Sequence, residues 1–424
     1  MPLGRRPGGG QPRHRDVPAT APEQGSFFEV LRVFLRLGLT SFGGPVAHLG
    51  YYRAELVERR KWLDERSYAD IVALCQFLPG PASSQTGISL GILRAGLPGG
   101  LAAWLGFTMP SAVAMILFAY GVAAFGDIAG AAWLHGLKIV AVAVVAQAVW
   151  GMARNLCPDR ERATIAVAAT VATLALPSSV GQIGAILLGG LAGWALPAAG
   201  QPRLSGAPLA VHLPRGLSIA AALLFVGLLF GLPLLAALVP SHALQLFASF
   251  YRSGALVFGG GHVVLPLLQA AVVPPHWVTN DTFLAGYGAA QAVPGPLFTF
   301  SAYLGAVMRE PPNGWAGGFL CLVAVFLPSF LLLIGILPFW DGLRRRTAVV
   351  KALRGVNAAV VGLLLAALYR PVWTSAILAP ADFAIGVVAF LLLALWAAPP
   401  WLVVILGALG AGLAALVPGL AASL

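Results

Sequence analysis

The residues best suited to chemistry in this chain follow a Pro-Gly-Pro tripeptide at 79–81, and they are Ser83, Ser84 and Gln85. Two prolines interrupt any continuous helix, so a new helix is expected to begin at the serine pair. The first turn of that helix would offer free N–H groups and the positive end of a dipole, which suit an anion. The serine hydroxyls could cap the helix or donate to the same ligand. The competing interpretation is a proline kink that serves packing alone.

The chain repeats itself, because this motif and five other landmarks return in the same order at an almost constant offset. The pairs, first half with second, are Phe42-Gly43-Gly44 with Phe258-Gly259-Gly260, Trp62 with Trp277, Gln76 with Gln291, Pro79-Gly80-Pro81 with Pro294-Gly295-Pro296, Pro110-Ser111 with Pro328-Ser329, and Gly136 with Gly355. This agreement indicates an internal duplication. The second tripeptide lacks the serine pair, so the first site is expected to dominate binding.

Candidate binding residues therefore occur in both halves. They are the two Pro-Gly-Pro tripeptides, the glutamine three residues before each, and the glycine pairs at 43–44 and 259–260. Glycine lets the backbone turn sharply or approach a ligand closely. The alternative for the glycine pairs is tight packing between helices.

Four further residues could offset the charge of a bound anion, namely Arg32, Arg36, His48 and Lys138. Arg32 and Arg36 are four positions apart and share one helix face, where Glu29 is the predicted partner of Arg32. Charges inside membrane segments usually line a cavity or pair with one another. The alternative is that these side chains extend to the membrane interface. For His48 the alternative is a hydrogen-bonded structural role.

The chain is too apolar for a soluble domain. Of its 424 residues, 59% are hydrophobic and 10% are charged, and its mean hydropathy is +0.86, whereas soluble domains carry about 25% charged residues. The apolar runs are continuous and do not alternate, which indicates helices and not a barrel. We therefore expect an all-α polytopic membrane protein with broken or re-entrant helices at the Gly-Gly and Pro-Gly-Pro motifs.

Four regions are predicted along the chain. Residues 1–26 form a disordered cytoplasmic tail, 27–200 the first repeat, 201–243 a linker with one transmembrane helix, and 244–424 the second repeat. The apolar segments lie near 27–47, 69–93, 98–125, 134–153, 163–177 and 182–198 in the first repeat, and near 244–272, 281–308, 314–338, 350–369, 372–396 and 401–421 in the second.

The loop charges predict that the two repeats cross the membrane in opposite directions. The loop near 126–137 has no Lys or Arg and its counterpart near 341–354 has five, whereas the loop at 48–66 has five and its counterpart at 270–280 has none. Basic loops stay in the cytoplasm, so this reversal is typical of an inverted repeat. With a cytoplasmic N-terminus, re-entrant first and second segments would keep loop 48–66 inside.

The sequence shows no signature of nucleic-acid binding, nucleotide binding, metal binding or catalysis. The net charge of +11 is explained by topology, since the basic residues lie in short loops, and nucleic-acid binding is not expected. No nucleotide-binding loop, metal-ligand cluster or catalytic set is visible, so we expect no cofactor, no metal and no enzymatic activity. Cys75, Cys157 and Cys321 are too scattered for a disulfide framework.

One stretch of the first half is specific enough to suggest a family. The string Leu78-Pro79-Gly80-Pro81-Ala82-Ser83-Ser84-Gln85, with Phe42-Gly43-Gly44-Pro45, His48, Trp62, Trp104 and Pro110-Ser111, resembles the chromate ion transporter family. The duplicated form resembles its long-chain, two-domain members. The resemblance implies export of chromate from the bacterial cytoplasm, which lowers its toxicity, driven by the membrane potential or a proton gradient.

Chromate and sulfate are isosteric dianions, so a sulfate or other oxyanion carrier of the same architecture is the alternative function. The expected mechanism places the anion between the broken segments of the two halves, held by helix N-termini, Ser83, Ser84 and Gln85, while the repeats rock about it. The expected partners are chromate, sulfate as a second candidate, and the lipid bilayer of the bacterial inner membrane. A homodimer is left open.

Overall fold

The computed structural model describes residues 25–125, 131–196, 213–343 and 346–416. Within these ranges the chain forms helices joined by short connections, and no described residue lies in a β-strand. Five of the described helical stretches are long and apolar enough to cross a membrane, and they span Ala82–Ala124, Ala132–Leu156, Arg215–Leu238, Gly314–Phe339 and Thr347–Ala376. The predicted all-α polytopic membrane fold is confirmed.

The first half contains seven described helices. They are α1 (Phe27–Thr40), α2 (Gly44–Tyr52), α3 (Glu65–Phe77), α4 (Ala82–Phe125), α5 (Ala131–Leu156), α6 (Arg160–Ala175) and α7 (Ser179–Ala195). A π-helical segment, Arg53–Arg59, continues α2. The backbone of Ala95 and Gly96 is not helical, so α4 is kinked there into two parts.

After α8 (Arg215–Leu238), the second half follows. Its helices are α9 (His242–Ala255), α10 (Val264–Val272), α11 (Asn280–Ala290), α12 (Phe300–Ala306), α13 (Gly314–Ile336), α14 (Trp340–Leu343), α15 (Thr347–Ala367), α16 (Thr374–Ala376), α17 (Pro380–Ala394) and α18 (Pro400–Leu416). Short 3₁₀ turns, Gly261–Val263 and Leu297–Thr299, lead into α10 and α12.

One predicted boundary is wrong by eight residues. The segment expected at 372–396 begins at Pro380, because residues 368–376 extend α15 in an irregular helical conformation. Asp382 fixes the later start, since its carboxylate accepts hydrogen bonds from the backbone N–H groups of Leu378 and Ala379. Asp382 therefore caps the beginning of α17.

Residues 1–24 of the predicted tail lie outside the described part of the chain, as do residues 197–212 before α8. Gly25 and Ser26, which were assigned to the tail, are ordered instead. The N–H of Gly25 donates to the carbonyl of Arg94 at 2.9 Å, and Ser26 Oγ accepts from the N–H of Glu29. Capping by Ser26 satisfies a donor that α1 could not satisfy itself, which fixes where α1 begins.

Polar caps also fix the starts of helices outside the membrane spans. Asp64 begins α3 by accepting from the N–H of Ser67, and these hydrogen bonds hold the pKa of the Asp64 carboxyl below its usual range. Asp159 begins α6 in the same way through the N–H of Arg162. Each cap lies in the hydrophilic sequence between two apolar segments, so the sequence itself marks where these helices begin.

The two halves are interlocked. α5 of the first half packs on α17 and α18, the last two described helices of the second half, and α15 of the second half packs on α6 and α7, the last two described helices of the first. Glycines allow the close approach: a Cβ on Gly136 of α5 would lie 2.8 Å from Cα of Ala408, and one on Gly355 of α15 would lie 2.6 Å from Cα of Gly193. Small residues at helix contacts are the usual solution in membranes.

The outer surface of this bundle is apolar. α8 packs on α9 and α13 on one side, while its other side exposes large residues such as Leu223, Phe230 and Leu238. α7 likewise exposes Leu187 and Leu191. So large an apolar surface is rare on soluble monomers and fits contact with lipid.

Candidate functional site

Four interruptions of the helices lie at the repeated motifs. We call them the first-half glycine break (Ser41–Gly43, between α1 and α2), the first-half proline break (Leu78–Pro81, between α3 and α4), the second-half glycine break (Leu256–Gly260) and the second-half proline break (Gln291–Pro296). The backbone is irregular at each of them, and such backbone is tolerated in a membrane only where protein or water covers it.

Each proline break is hydrogen-bonded to the glycine break of the other half. The N–H of Gly80 donates to the carbonyl of Val257 at 2.7 Å, and the N–H of Gly295 donates to the carbonyl of Ser41 at 2.9 Å. The two bonds join equivalent positions of the two halves. The glycine breaks also meet each other, because a Cβ on Gly261 would lie 3.4 Å from Cγ of Pro45. The four breaks therefore form one continuous region.

Glycine is required at the centre of both tripeptides. Gly80 and Gly295 have φ values of +126° and +102°, where residues with a side chain are strained. A Cβ on Gly80 would lie 2.7 Å from Oγ of Ser329, and one on Gly295 would lie 2.7 Å from Oγ of Ser111. Because both amides already donate to carbonyls, Gly80 and Gly295 shape the site and have no N–H left for a ligand.

A buried polar cluster lies at the beginning of α4. Its members are Ser41, His48, Ser83, Ser84, Gln85 and Ser329, each no more than 3% exposed. Nδ1 of His48 lies 3.4 Å from Oγ of Ser83, at hydrogen-bonding distance, and the Ser41 backbone faces the same ring. Nε2 of Gln85 donates to the carbonyl of Pro79 at 2.7 Å. No charged side chain belongs to this cluster.

Several polar atoms of the cluster have no hydrogen-bond partner among the described residues. They are Oγ of Ser41, Nε2 of His48, Oγ of Ser84, Oε1 of Gln85 and Oγ of Ser329. The first amides of α4 add to this set, because the first turn of a helix has no intrahelical acceptor for them. Unsatisfied buried groups are rare in folded proteins, so this cluster is arranged to receive a polar ligand or water.

The described residues of the second half form no equivalent polar cluster. Phe298 and Phe300 occupy the positions that Ser83 and Gln85 hold in the first half, and both are buried. The hydroxyls nearby are satisfied locally, since Oγ1 of Thr299 donates to Pro296 and Oγ of Ser301 donates to Phe298. This difference supports the expectation that the first half supplies most of the binding groups.

The family follows from a comparison with known proteins. The family model described as "Chromate transporter" matches residues 28–194 and, again, residues 244–413. The chain belongs to the chromate transporter family. The two matched regions contain all four helix breaks and the whole polar cluster.

Relatives that match most of the chain are named as transport proteins or transporters. A chromate transport protein of Pseudomonas aeruginosa is 31% identical over 81% of this chain and 80% of its own length. One from Cupriavidus metallidurans is 26% identical over 79% of this chain and 80% of its own. An uncharacterised transporter of Methanocaldococcus jannaschii is 26% identical over 81% and 84%. No solved structure matches this chain.

Not every predicted site residue of this chromate transporter family member reaches the cluster. Gln76 is exposed at the end of α3, whereas Nε2 of Gln291 is buried without a partner among the described residues. Gly43 is exposed and Gly44 is half-buried, with open space where a Cβ would lie on Gly44. Gly259 lies near Oδ1 of Asn357, within the second-half glycine break and away from the serines.

The predicted charge-compensating residues are placed differently from expectation. Arg32 and Arg36 lie on the exposed face of α1, opposite the face that packs on α4. The predicted pairing of Glu29 with Arg32 is wrong, because Glu29 pairs with Arg94 at 3.0 Å, and Arg94 also stacks over Trp62. Arg94 thus helps hold the kink of α4.

The remaining two predicted residues have partners. Nζ of Lys138 lies 3.1 Å from Oδ1 of Asp281, so its charge is offset within the protein. His48 is the one member of this predicted set that reaches the polar cluster. Within the described residues, no group of three His, Cys, Asp or Glu side chains is placed to hold a metal ion.

Sequence reasoning missed Ser41 and Ser329 as members of the cluster. Signals for both were present, since Ser41 directly precedes the Phe-Gly-Gly motif and Ser329 belongs to the repeated Pro-Ser pair.

An apolar cavity of about 450 Å³ adjoins the first-half proline break and is lined by Phe77, Pro79 and Leu353 among others. Its apolar lining makes it unsuited to an anion.

Proposed function

We propose that this chain is a secondary active transporter that exports chromate across the bacterial cytoplasmic membrane and so confers chromate resistance. The observation that carries the proposal is the buried polar cluster at the beginning of α4, in a chain that belongs to the chromate transporter family. Two of its relatives are named chromate transport proteins. A tetrahedral oxyanion suits this cluster because hydroxyl groups and helix-start amides both donate hydrogen bonds.

The oxyanion binds, in this proposal, to the first amides of α4 and to the hydroxyls of Ser83 and Ser84. His48 positions the hydroxyl of Ser83, since its ring is at hydrogen-bonding distance and is itself fixed by an edge contact with the Phe107 ring. Helix starts beside broken segments are common substrate sites in secondary transporters. The second-half glycine break closes the region from the other half, through the hydrogen bond between Gly80 and Val257.

Alternating access arises from movement of one repeat against the other about the four breaks. The paired hydrogen bonds of Gly80 with Val257 and of Gly295 with Ser41 join the halves where they would pivot. The reversed loop charges support an inverted arrangement of the repeats in the membrane, with the N-terminus in the cytoplasm. The first two segments of each repeat are then re-entrant.

A sulfate or other oxyanion carrier is the second candidate. It is favoured by the chemistry of the cluster, because uncharged hydroxyl and amide donors suit any tetrahedral oxyanion. The two candidates differ in which ion is moved and not in the architecture that moves it.

Chromate accumulation in cells tests the proposal. Cells that express the chain should accumulate less labelled chromate than cells without it, and should grow at higher chromate concentrations. A tenfold excess of sulfate should leave the difference intact if chromate is the substrate, and should abolish it if sulfate is preferred. Equal chromate accumulation with and without the protein would remove export from the proposal.

A further inference from the structure

Gln85 presents a buried hydrogen-bond acceptor to the ligand site. Its side chain has no exposed surface, and Nε2 donates to the carbonyl of Pro79 at 2.7 Å. That bond fixes the orientation of the amide, because the flipped orientation would place Oε1 against the Pro79 carbonyl oxygen. Oε1 therefore remains the free end, and no donor among the described residues reaches it.

An acceptor is unexpected in a site for a fully ionised oxyanion. Such an ion only accepts hydrogen bonds, so Oε1 would repel it and would stay unsatisfied at a substantial energetic cost. Oγ of Ser329 lies on the same side of Gly80 as the Gln85 amide and also lacks a partner. A free acceptor beside free hydroxyl donors is complementary to a ligand that both accepts and donates.

The charge of the cluster also favours a ligand that has kept a proton. Its six members include no carboxylate, lysine or arginine, and His48 is its one side chain that can carry a positive charge, so the cluster offsets at most one of two negative charges. The energy needed to bury an ion rises with the square of its charge, so a monoanion is far less costly to bury than a dianion. Helix-start amides and hydroxyls can stabilise one negative charge more readily than two.

We propose that the species bound at this site is the hydrogen oxyanion, HCrO₄⁻, whose O–H group donates to Oε1 of Gln85 while its other oxygens accept from Ser83, Ser84 and the first amides of α4. This inference rests on the proposed function and specifies its substrate. Hydrogen chromate is a weak acid, a fraction of which keeps its proton near neutral pH, whereas hydrogen sulfate is a much stronger acid that is fully ionised there. Gln85 thereby selects chromate over sulfate.

The preference for chromate over sulfate should be large, because it depends on the buried acceptor Oε1 of Gln85. A site built to hydrogen-bond a substrate hydroxyl strongly rejects an analogue that lacks it, because the buried polar group is then left without a partner. One such group is worth about 10- to 100-fold in affinity. Shape alone could not provide this discrimination, since the two anions are isosteric.

Competition at a single pH tests the inference without changing the protonation of the protein. The titratable side chains nearest the start of α4 are His48 and Tyr52 on α2 and Cys75 on α3. Purified protein in proteoliposomes is given labelled chromate with either selenate or arsenate as competitor. Both match chromate in shape and size, but arsenate keeps an O–H group near neutral pH and selenate has none. Arsenate should compete about 10- to 100-fold better than selenate.

Replacing Gln85 with Met, which is similar in size and has no acceptor, should remove this preference. Gln182 provides a matched control, because it is also buried, its Nε2 donates to the carbonyl of Pro266 at 3.2 Å, and its Oε1 has no partner among the described residues. Gln182→Met should keep the preference for arsenate over selenate.

The outcomes separate the inference from the proposed function. Absence of chromate flux in the wild type would overturn the proposed function itself. Chromate flux on which selenate and arsenate compete equally in the wild type would overturn the inference alone, whatever Gln85→Met does to folding. Unchanged competition in a folded Gln85→Met protein would overturn the assignment to Gln85.

Discussion

The N–H of Gly80 donates a 2.7 Å hydrogen bond to the carbonyl of Val257, so a helix break in the first half is held by a helix break in the second. The same relationship joins Gly295 to Ser41 in the opposite sense. Both glycines have positive φ, and a Cβ on either would collide with a serine hydroxyl of the other half. The site thus exists only where the two halves meet.

Gly80→Ala and Gly295→Ala should therefore destabilise the protein, each by roughly 2 kcal/mol or more, through backbone strain together with steric overlap. Thermal unfolding of purified protein in detergent measures the change. Gly184→Ala serves as the control, since Gly184 lies within α7 with open space where a Cβ would be placed. An unfolding temperature for Gly80→Ala equal to that of Gly184→Ala would contradict this assignment.

Ser329→Ala should lower chromate flux by about tenfold, because its hydroxyl lies beside Gly80 without a partner and is available to the ligand. The equivalent Ser111 is a natural comparison. Its hydroxyl already donates to the carbonyl of Thr108 at 3.1 Å, so Ser111→Ala should leave flux nearly unchanged. Equal losses in both variants would show that the two halves contribute alike.

Arg252 and Arg36 occupy equivalent positions at the ends of α9 and α1, but their surroundings differ. Arg252 is half-buried just before the second-half glycine break and has no acidic partner among the described residues, whereas Arg36 is exposed. Unpaired charges inside membrane segments are usually functional. Arg252→Gln should lower chromate flux by about tenfold, the worth of one charge-assisted contact.

Arg36→Gln is the matched control for that measurement and should transport normally, because an exposed arginine can reach the interface. Flux should be normalised to the amount of protein in the proteoliposomes. Normal flux in Arg252→Gln would assign this side chain to topology alone.

The interlocked packing makes a prediction about a divided chain. A cut within residues 201–212 leaves α5 without α17 and α18, and leaves α15 without α6 and α7. Neither half alone should give a monodisperse protein in detergent, because apolar faces that pack on the other half would be open. The two halves expressed together should copurify and restore chromate resistance. A stable, monodisperse first half on its own would be inconsistent with this packing.

The helices and their breaks could be predicted from the sequence because they depend on local chemistry. Two prolines remove backbone donors at 79–81, and long apolar runs have no other solution in a bilayer than helices. The late start of α17 was missed because Arg370-Pro371 resembles a break between two segments, whereas the irregular helix continues through it to Ala376, and the hydrogen bonds of Asp382 mark where the new helix begins.

The composition of the site was less predictable because it depends on packing between distant segments. Glu29 has Arg32 one turn away in sequence, yet it pairs with Arg94, which the kink of α4 brings beside it. Ser329 joins the cluster only because α13 crosses the first-half proline break. Equivalent motifs in the two halves indicated that the repeats meet but not which segment would face which.

Chromate flux into proteoliposomes that contain the purified protein is the most direct test of the central claim. Wild-type protein should move labelled chromate, and a Ser83→Ala/Ser84→Ala double variant of unchanged unfolding temperature should move it at least tenfold more slowly, because the ligand loses two hydroxyl donors. The Thr299→Val variant, which alters the position equivalent to Ser84, should transport at nearly the wild-type rate. Full flux in the folded double variant would contradict the placement of the oxyanion at the beginning of α4.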